Sequence, residues 1–276
     1  MGLKQNLKLG KRQIKRTLAF AKREFKLRTR YKWNFISNVI IMPLLHAVPL
    51  VILYWGLIFQ AEAGNLGLSK DDFLTWVLLG SVIYSTFVLG FRVFRARFIE
   101  EKYWMTIYGT LIAPVSKYYL LFGVVIELAV EGIIMALPFM MISYIVMPTS
   151  LLYILFTYLI IIITLIAAAG ISLVNGTFYL VNENLAIIFD FLLYFLVFLS
   201  TYSIPYSIYP DILLLVVNLN PLYHFINLSR EVWFGGFYSI DLLWSFLYIL
   251  GFCVVCVIVG IYFFTKTTRR FGVRGY

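Results

Sequence analysis

The chain has 276 residues, 62% hydrophobic and 13% charged, and its 23 Lys and Arg against 13 Asp and Glu give a net charge of +10. Soluble domains carry about 25% charged residues, so a soluble enzyme or soluble binding module is excluded. In a membrane protein a basic excess marks the cytoplasmic loops rather than a nucleic-acid partner, and none is expected.

Residues 1–32 hold twelve Lys and Arg and a single acid, Glu24. Leu3, Leu7, Ile14, Leu18, Ala21 and Phe25 recur at helical spacing among them. This predicts an amphipathic helix lying in the cytoplasmic interface, with a disordered basic tail as the plainer alternative. Such a head is too long for the n-region of a signal peptide, so no cleavable leader is expected.

The first span is predicted at Trp33–Phe59, kinked by Pro43 and Pro49. His46 reads as a hydrogen-bonded packing residue, because no other His or Cys is placed to join it. Residues 60–72 form an external loop, and the second span is predicted at Phe73–Phe91, ending at Arg92, Arg95 and Arg97. The stretch 94–116 that follows is the internal segment densest in charge, and it must lie in water or among headgroups. Glu100, Glu101, Lys102, Tyr103 and Trp104 read there as a short amphipathic helix offering charge and an aromatic anchor to a cytoplasmic partner. An ordinary solvated loop is the alternative.

The third span, Tyr118–Val146, carries Glu127 and Glu131 four residues apart, on one helix face. Intramembrane carboxylates are a functional-site hypothesis by default. A helix or subunit contact, a wet cavity and a proton relay are all open. After a turn at Pro148–Ser150 the fourth span, Leu151–Tyr179, places Thr164, Ala168, Ser172 and Gly176 at four-residue steps. Small residues so spaced let a second helix approach closely. The fifth span, Leu185–Tyr202, contains Asp190, for which a structural partner is expected. Between Ser203 and Phe237 the prolines 205, 210 and 221 interrupt an apolar run too short to span, which predicts a pair of short re-entrant or interfacial helices on the external side. Ile240–Phe264 is the last span. Cys253 and Cys256 lie within it, without a second ligand pair, and read as buried packing.

By this division 21 of the 23 Lys and Arg fall on one side, leaving Lys70 and Arg230 on the other. The predicted fold is therefore an all-α polytopic membrane protein of the cell membrane with six transmembrane helices and both termini cytoplasmic. It is a single domain over 1–276: an interface helix (1–32), a six-span bundle (33–264) and a basic tail (265–276).

Chemistry is sparse. No Walker A pattern GxxxxGK[ST], no HExxH and no GxSxG occurs, and His46 and His224 are the only histidines. Catalytic, metal and cofactor sites are not expected in this chain. Uphill transport would draw on an ion gradient or on a separate ATPase.

The segment after span two resembles the cytoplasmic coupling element of the ABC-2 export permeases. The matching pieces are Glu100-Glu101-Lys102, Thr106 and Ala113-Pro114-Val115-Ser116, followed by Leu120-Leu121-Phe122-Gly123, with Gly109-Thr110-Leu111 four residues later than in that family. Asn220-Pro221-Leu222 through Arg230 is similar to the element the family carries between spans five and six. The resemblance implies a permease subunit of an ATP-binding cassette exporter, paired with a second permease chain as a homodimer. Two copies of an ABC-type ATP-binding subunit, holding ATP and Mg, would dock at Glu100–Trp104, Thr106 and Pro114. Asn220, Pro221 and Arg230 would belong to the external re-entrant motif. An amphipathic cargo (lipid, lipid-linked glycan or drug-like molecule) is the expected substrate. The competing reading is an ion-coupled carrier using Glu127, Glu131 and Asp190.

Overall fold

The computed structural model describes residues 2–57, 70–105, 117–182, 184–235 and 240–273. Among the described residues every regular element is helical. In chain order they are α1 (Gly2–Arg28), α2 (Lys32–Ile36), a π-helical turn (Ser37–Ile41), α3 (Met42–Leu57), α4 (Lys70–Tyr103), α5 (Lys117–Val146), α6 (Leu151–Val181), α7 (Leu185–Phe198), a 3₁₀ turn (Tyr206–Ile208), α8 (Asp211–Leu219), α9 (Pro221–Trp233) and α10 (Ile240–Val273). Five helical stretches are long and apolar enough to cross a membrane, and six if the bent pair α8–α9 is counted as one.

The amphipathic head is helical, as its spacing predicts, and its second half packs on the bundle. Ala21 and Glu24 are buried along α5, whereas Ile14 and Leu18 stay exposed. In the first span, where a kink is expected, the chain makes a π-helical turn just ahead of Pro43, and Pro49 lies inside α3. Proline has no N–H with which to continue the i→i−4 ladder, and a wider turn absorbs the break.

α4 is the centre of the bundle. Its apolar window is 78% buried, against 17% for the first and last spans. Phe87, Phe91 and Phe94 fill the core on its axis. It packs on α3, α5, α6 and α9. The close approach to α6 uses the small-residue stripe: Ser172 Oγ accepts from the backbone N–H of Phe94 at 3.0 Å. A Cβ on Gly90 would stand 2.8 Å from that of Ala168, so only glycine lets the two backbones meet there. Thr157, Thr164 and Thr177 of α6 donate to the carbonyls of Tyr153, Ile160 and Leu173, which satisfies their hydroxyls inside their own helix. Cys253 and Cys256 are free and buried.

Two boundaries differ from the sequence expectation. The second span does not stop at Phe91: α4 continues as one helix through Arg92, Arg95 and Arg97 to Tyr103. Charge does not end a helix whose arginines find carboxylates on its neighbours, and Arg95 and Arg97 do so. The fifth span, expected over Leu185–Tyr202, is helical only over the 14 residues of α7. That is about 21 Å at 1.5 Å per residue, short of the roughly 30 Å of a hydrocarbon core. The next two helices meet at 86°, where Asn220 ends one and caps the other. This bent pair is the shape expected of a re-entrant element.

Candidate functional site

The helix ends sort into two groups. At the basic end lie the C-terminal turns of α1, α4 and α10 and the first turns of α5 and α7. Phe98 of α4 stacks on Phe264 of α10 with ring centroids 6.0 Å apart. The opposite end holds the start of α4, the α5–α6 turn and α8–α9, joined where Thr149 donates to the Trp233 carbonyl at 3.3 Å.

Glu100, Glu101, Lys102 and Tyr103 form the last turn of α4 and not a separate coupling helix. Trp104 and Met105 follow as a turn, Met105 with a φ of 56°. Thr106, Pro114 and the rest of the 106–116 stretch lie outside the described residues. What the last turn presents is an exposed apolar knob: Tyr103, Trp104 and Met105 are 79%, 71% and 78% exposed, and the first two rings meet edge-to-face. Lys102 lies over the Tyr179 ring of α6 at 5.4 Å.

Just inward of that knob an ion cluster joins three helices. Arg97 of α4 faces Glu24 of α1 at 3.4 Å, Glu127 of α5 at 3.5 Å and its own Glu100 at 3.5 Å. Arg28 of α1 faces Glu131 at 3.3 Å and Glu127 at 4.0 Å. Both glutamates are 1% exposed. The predicted carboxylate pair is thus on one face, as its spacing requires, at a contact between α1, α4 and α5. Nothing in the sequence points to its partners: Arg28 lies 103 residues from Glu131, in a helix where Lys15, Arg16, Lys22 and Lys26 are exposed. Glu127 is the looser member, with neither oxygen in a hydrogen bond.

Asp190 has the structural partner expected of it, Arg95, at 2.6 Å. Arg95 and Arg97 are two residues apart and so project about 200° apart around α4. Asp190 is therefore on the other side of the helix from Glu127 and Glu131. The three carboxylates of the carrier reading are not brought into one site.

At the far end Arg230 is 4% exposed. Its guanidinium donates to the Trp76 carbonyl at 3.1 Å, Thr201 at 3.0 Å and Tyr202 at 3.4 Å, and lies over the Trp76 ring at 3.4 Å. The three carbonyls belong to the first turns of α4 and to the chain just after α7. Gly80 makes the room: a Cβ there would stand 2.4 Å from the guanidinium. Asn220 accepts from the Leu222 N–H at 3.0 Å, capping α9, and donates to the Leu196 carbonyl at 2.7 Å. Pro221 occupies the first helical position, where its missing N–H costs nothing. The expected motif Asn220, Pro221 and Arg230 is therefore a clamp between the bent pair, α7 and α4. Trp76 and Gly80 were not visible as its members, since one reads as a lipid-interface aromatic and the other as a packing glycine.

Among the described residues no group of three or more His, Cys, Asp or Glu gathers as a metal site. The described arrangement offers helix-to-helix clamps and an exposed aromatic turn at Tyr103–Met105. An all-helical, multi-pass membrane protein of this shape defines the class. The chain belongs to the ABC-2 type transporter family, whose family model matches residues 15–234. It is thereby an ABC-type permease subunit, a membrane transport domain of a kind that works with an ABC ATPase subunit. Comparison with curated proteins finds no match.

Proposed function

We propose that this chain forms, as a homodimer, the export pathway of an ATP-binding cassette transporter for an amphipathic substrate. Two copies of an ATP-binding subunit, loaded with ATP and Mg, would dock at the basic end. The protein would sit in the cell membrane, and the concentration of Lys and Arg at that end supports cytoplasmic termini. The observation that carries the reading is the exposed turn of Tyr103, Trp104 and Met105, closing a helix that runs unbroken from the far end. Exposed aromatics beside charge are the kind of residues that dominate interfaces, and a family match over 15–234 supplies the class of partner. The same partner would meet Glu100, Glu101 and Lys102. The carrier reading has less support, because Asp190 faces Arg95 while Glu127 and Glu131 face Arg28 and Arg97.

The test is co-purification of the tagged protein, in mild detergent, with an ABC-type ATPase from its native cells. Reversing both charges, Glu100→Lys with Glu101→Lys, or replacing Trp104 by Ala, should release the ATPase while membrane insertion is unchanged. Wild-type co-purification and transport in the double reversal would defeat the docking assignment.

A further inference from the structure

A cleft of about 400 Å³ opens between α3 and α4, with Met42, Val88 and Leu89 on its apolar wall. Asn38, His46, Tyr84, Ser85, Arg92 and Glu100 supply polar groups, the Glu100 carboxylate facing Arg97 at 3.5 Å. Arg28 and Arg97 reach the same cleft, but their charge faces the carboxylates of the ion cluster. Arg92 is different. It is exposed, and among the described residues no carboxylate stands within ion-pair distance of it. Ser85 is 8% exposed and its hydroxyl has no hydrogen-bond partner.

Depth gives these groups meaning. Arg92 lies 22 residues from the start of α4, about 33 Å along the helix and close to the thickness of a hydrocarbon core. Its guanidinium therefore stands at headgroup level, where an unpaired cation draws an anion.

We propose that the α3–α4 cleft is a binding site for an anionic glycerolipid. The phosphate sits on Arg92, and the acyl chains lie along Met42, Val88 and Leu89. Charge selects the occupant: a zwitterionic lipid brings its own cation to the phosphate, whereas an anionic one leaves the phosphate to Arg92. The site requires neither a partner ATPase nor that this lipid be the cargo, so it stands apart from the export reading.

The experiment is native mass spectrometry of the full-length protein in detergent, titrated with phosphatidylglycerol or with phosphatidylcholine of the same acyl chains. Phosphatidylglycerol should be retained in preference. Arg92→Gln should lower that retention on the order of tenfold, the loss of one charge-assisted contact, while Arg92→Lys keeps most of it. If Arg92→Gln fails to elute as a folded species, Val88→Trp, which fills the cleft without touching its charge, carries the same expectation. Equal retention of the two lipids, or wild-type retention in these variants, overturns the proposal. Inorganic phosphate tests the soluble source: displacement of the lipid at equal concentration would make this a free-anion site and refute the lipid.

Discussion

Arg230→Gln removes a guanidinium that serves three backbone carbonyls and lies over a ring. The acceptors at 3.0 and 3.1 Å are well formed and the one at 3.4 Å is longer. Hydrogen bonds from a charged donor are worth about 1.5–3 kcal/mol each, and a cation over an aromatic face adds about 0.5–2 kcal/mol. These do not sum, because one residue makes them all, and a loss of about 3–5 kcal/mol is the reasonable outcome. At about 2–4 °C per kcal/mol for a chain of this size, the apparent melting midpoint in detergent should fall by roughly 10 °C. Lysine keeps the charge but not the planar fork, and cannot reach acceptors on both sides at once. Arg230→Lys should therefore recover less than half of the fall. The assay is thermal unfolding of the purified variants followed by intrinsic tryptophan fluorescence, with Trp76→Phe to calibrate the probe. A Gln variant within about 2 °C of wild type, or a Lys variant indistinguishable from it, would refute the reasoning.

In the ion cluster, Arg97→Gln leaves Glu24 to Arg23 at 3.7 Å and Glu127 to Arg28 at 4.0 Å, and should cost about 2–4 kcal/mol, read as a lowered melting midpoint. Glu127→Gln should cost under about 1 kcal/mol, because its oxygens make no hydrogen bond and the remaining carboxylates still face both arginines. Equal effects of the two changes would be evidence against this ranking. Gly90→Val forces a branched side chain to within 2.8 Å of the Ala168 Cβ and should destabilise by about 1–3 kcal/mol. Ala168→Gly in the same chain should restore part of that loss, and absence of any rescue in the double variant would place the strain elsewhere.

How much of this was legible follows from where each signal resides. Apolar length and the side on which Lys and Arg collect are local properties, so the all-helical, multi-pass class could be read directly. The four-residue stripe from Thr164 to Gly176 is also local, and α4 lies against it. Helix ends were harder. Arg95 and Arg97 read as the end of a span because their partners, Asp190, Glu24 and Glu127, are brought near only by tertiary packing. Arg230 read as part of a motif, but the clamp it makes depends on carbonyls, which no sequence pattern displays. Gly80 and Arg92 gained a role only once their neighbours were placed.

α4 is held at two points, by the clamp near Trp76 and by the ion cluster at Arg97. They are 21 residues apart on one unbroken helix, about 31 Å. A stiff helix held in this way would act as a rocker if it moved as one body. Pivoting by about 10° around its middle, it would carry each held point roughly 3 Å, in opposite directions. Packed interfaces switch between discrete arrangements rather than stretch. A displacement delivered at the basic end would therefore reach the bent helices at the other end inverted, with little lost along the way.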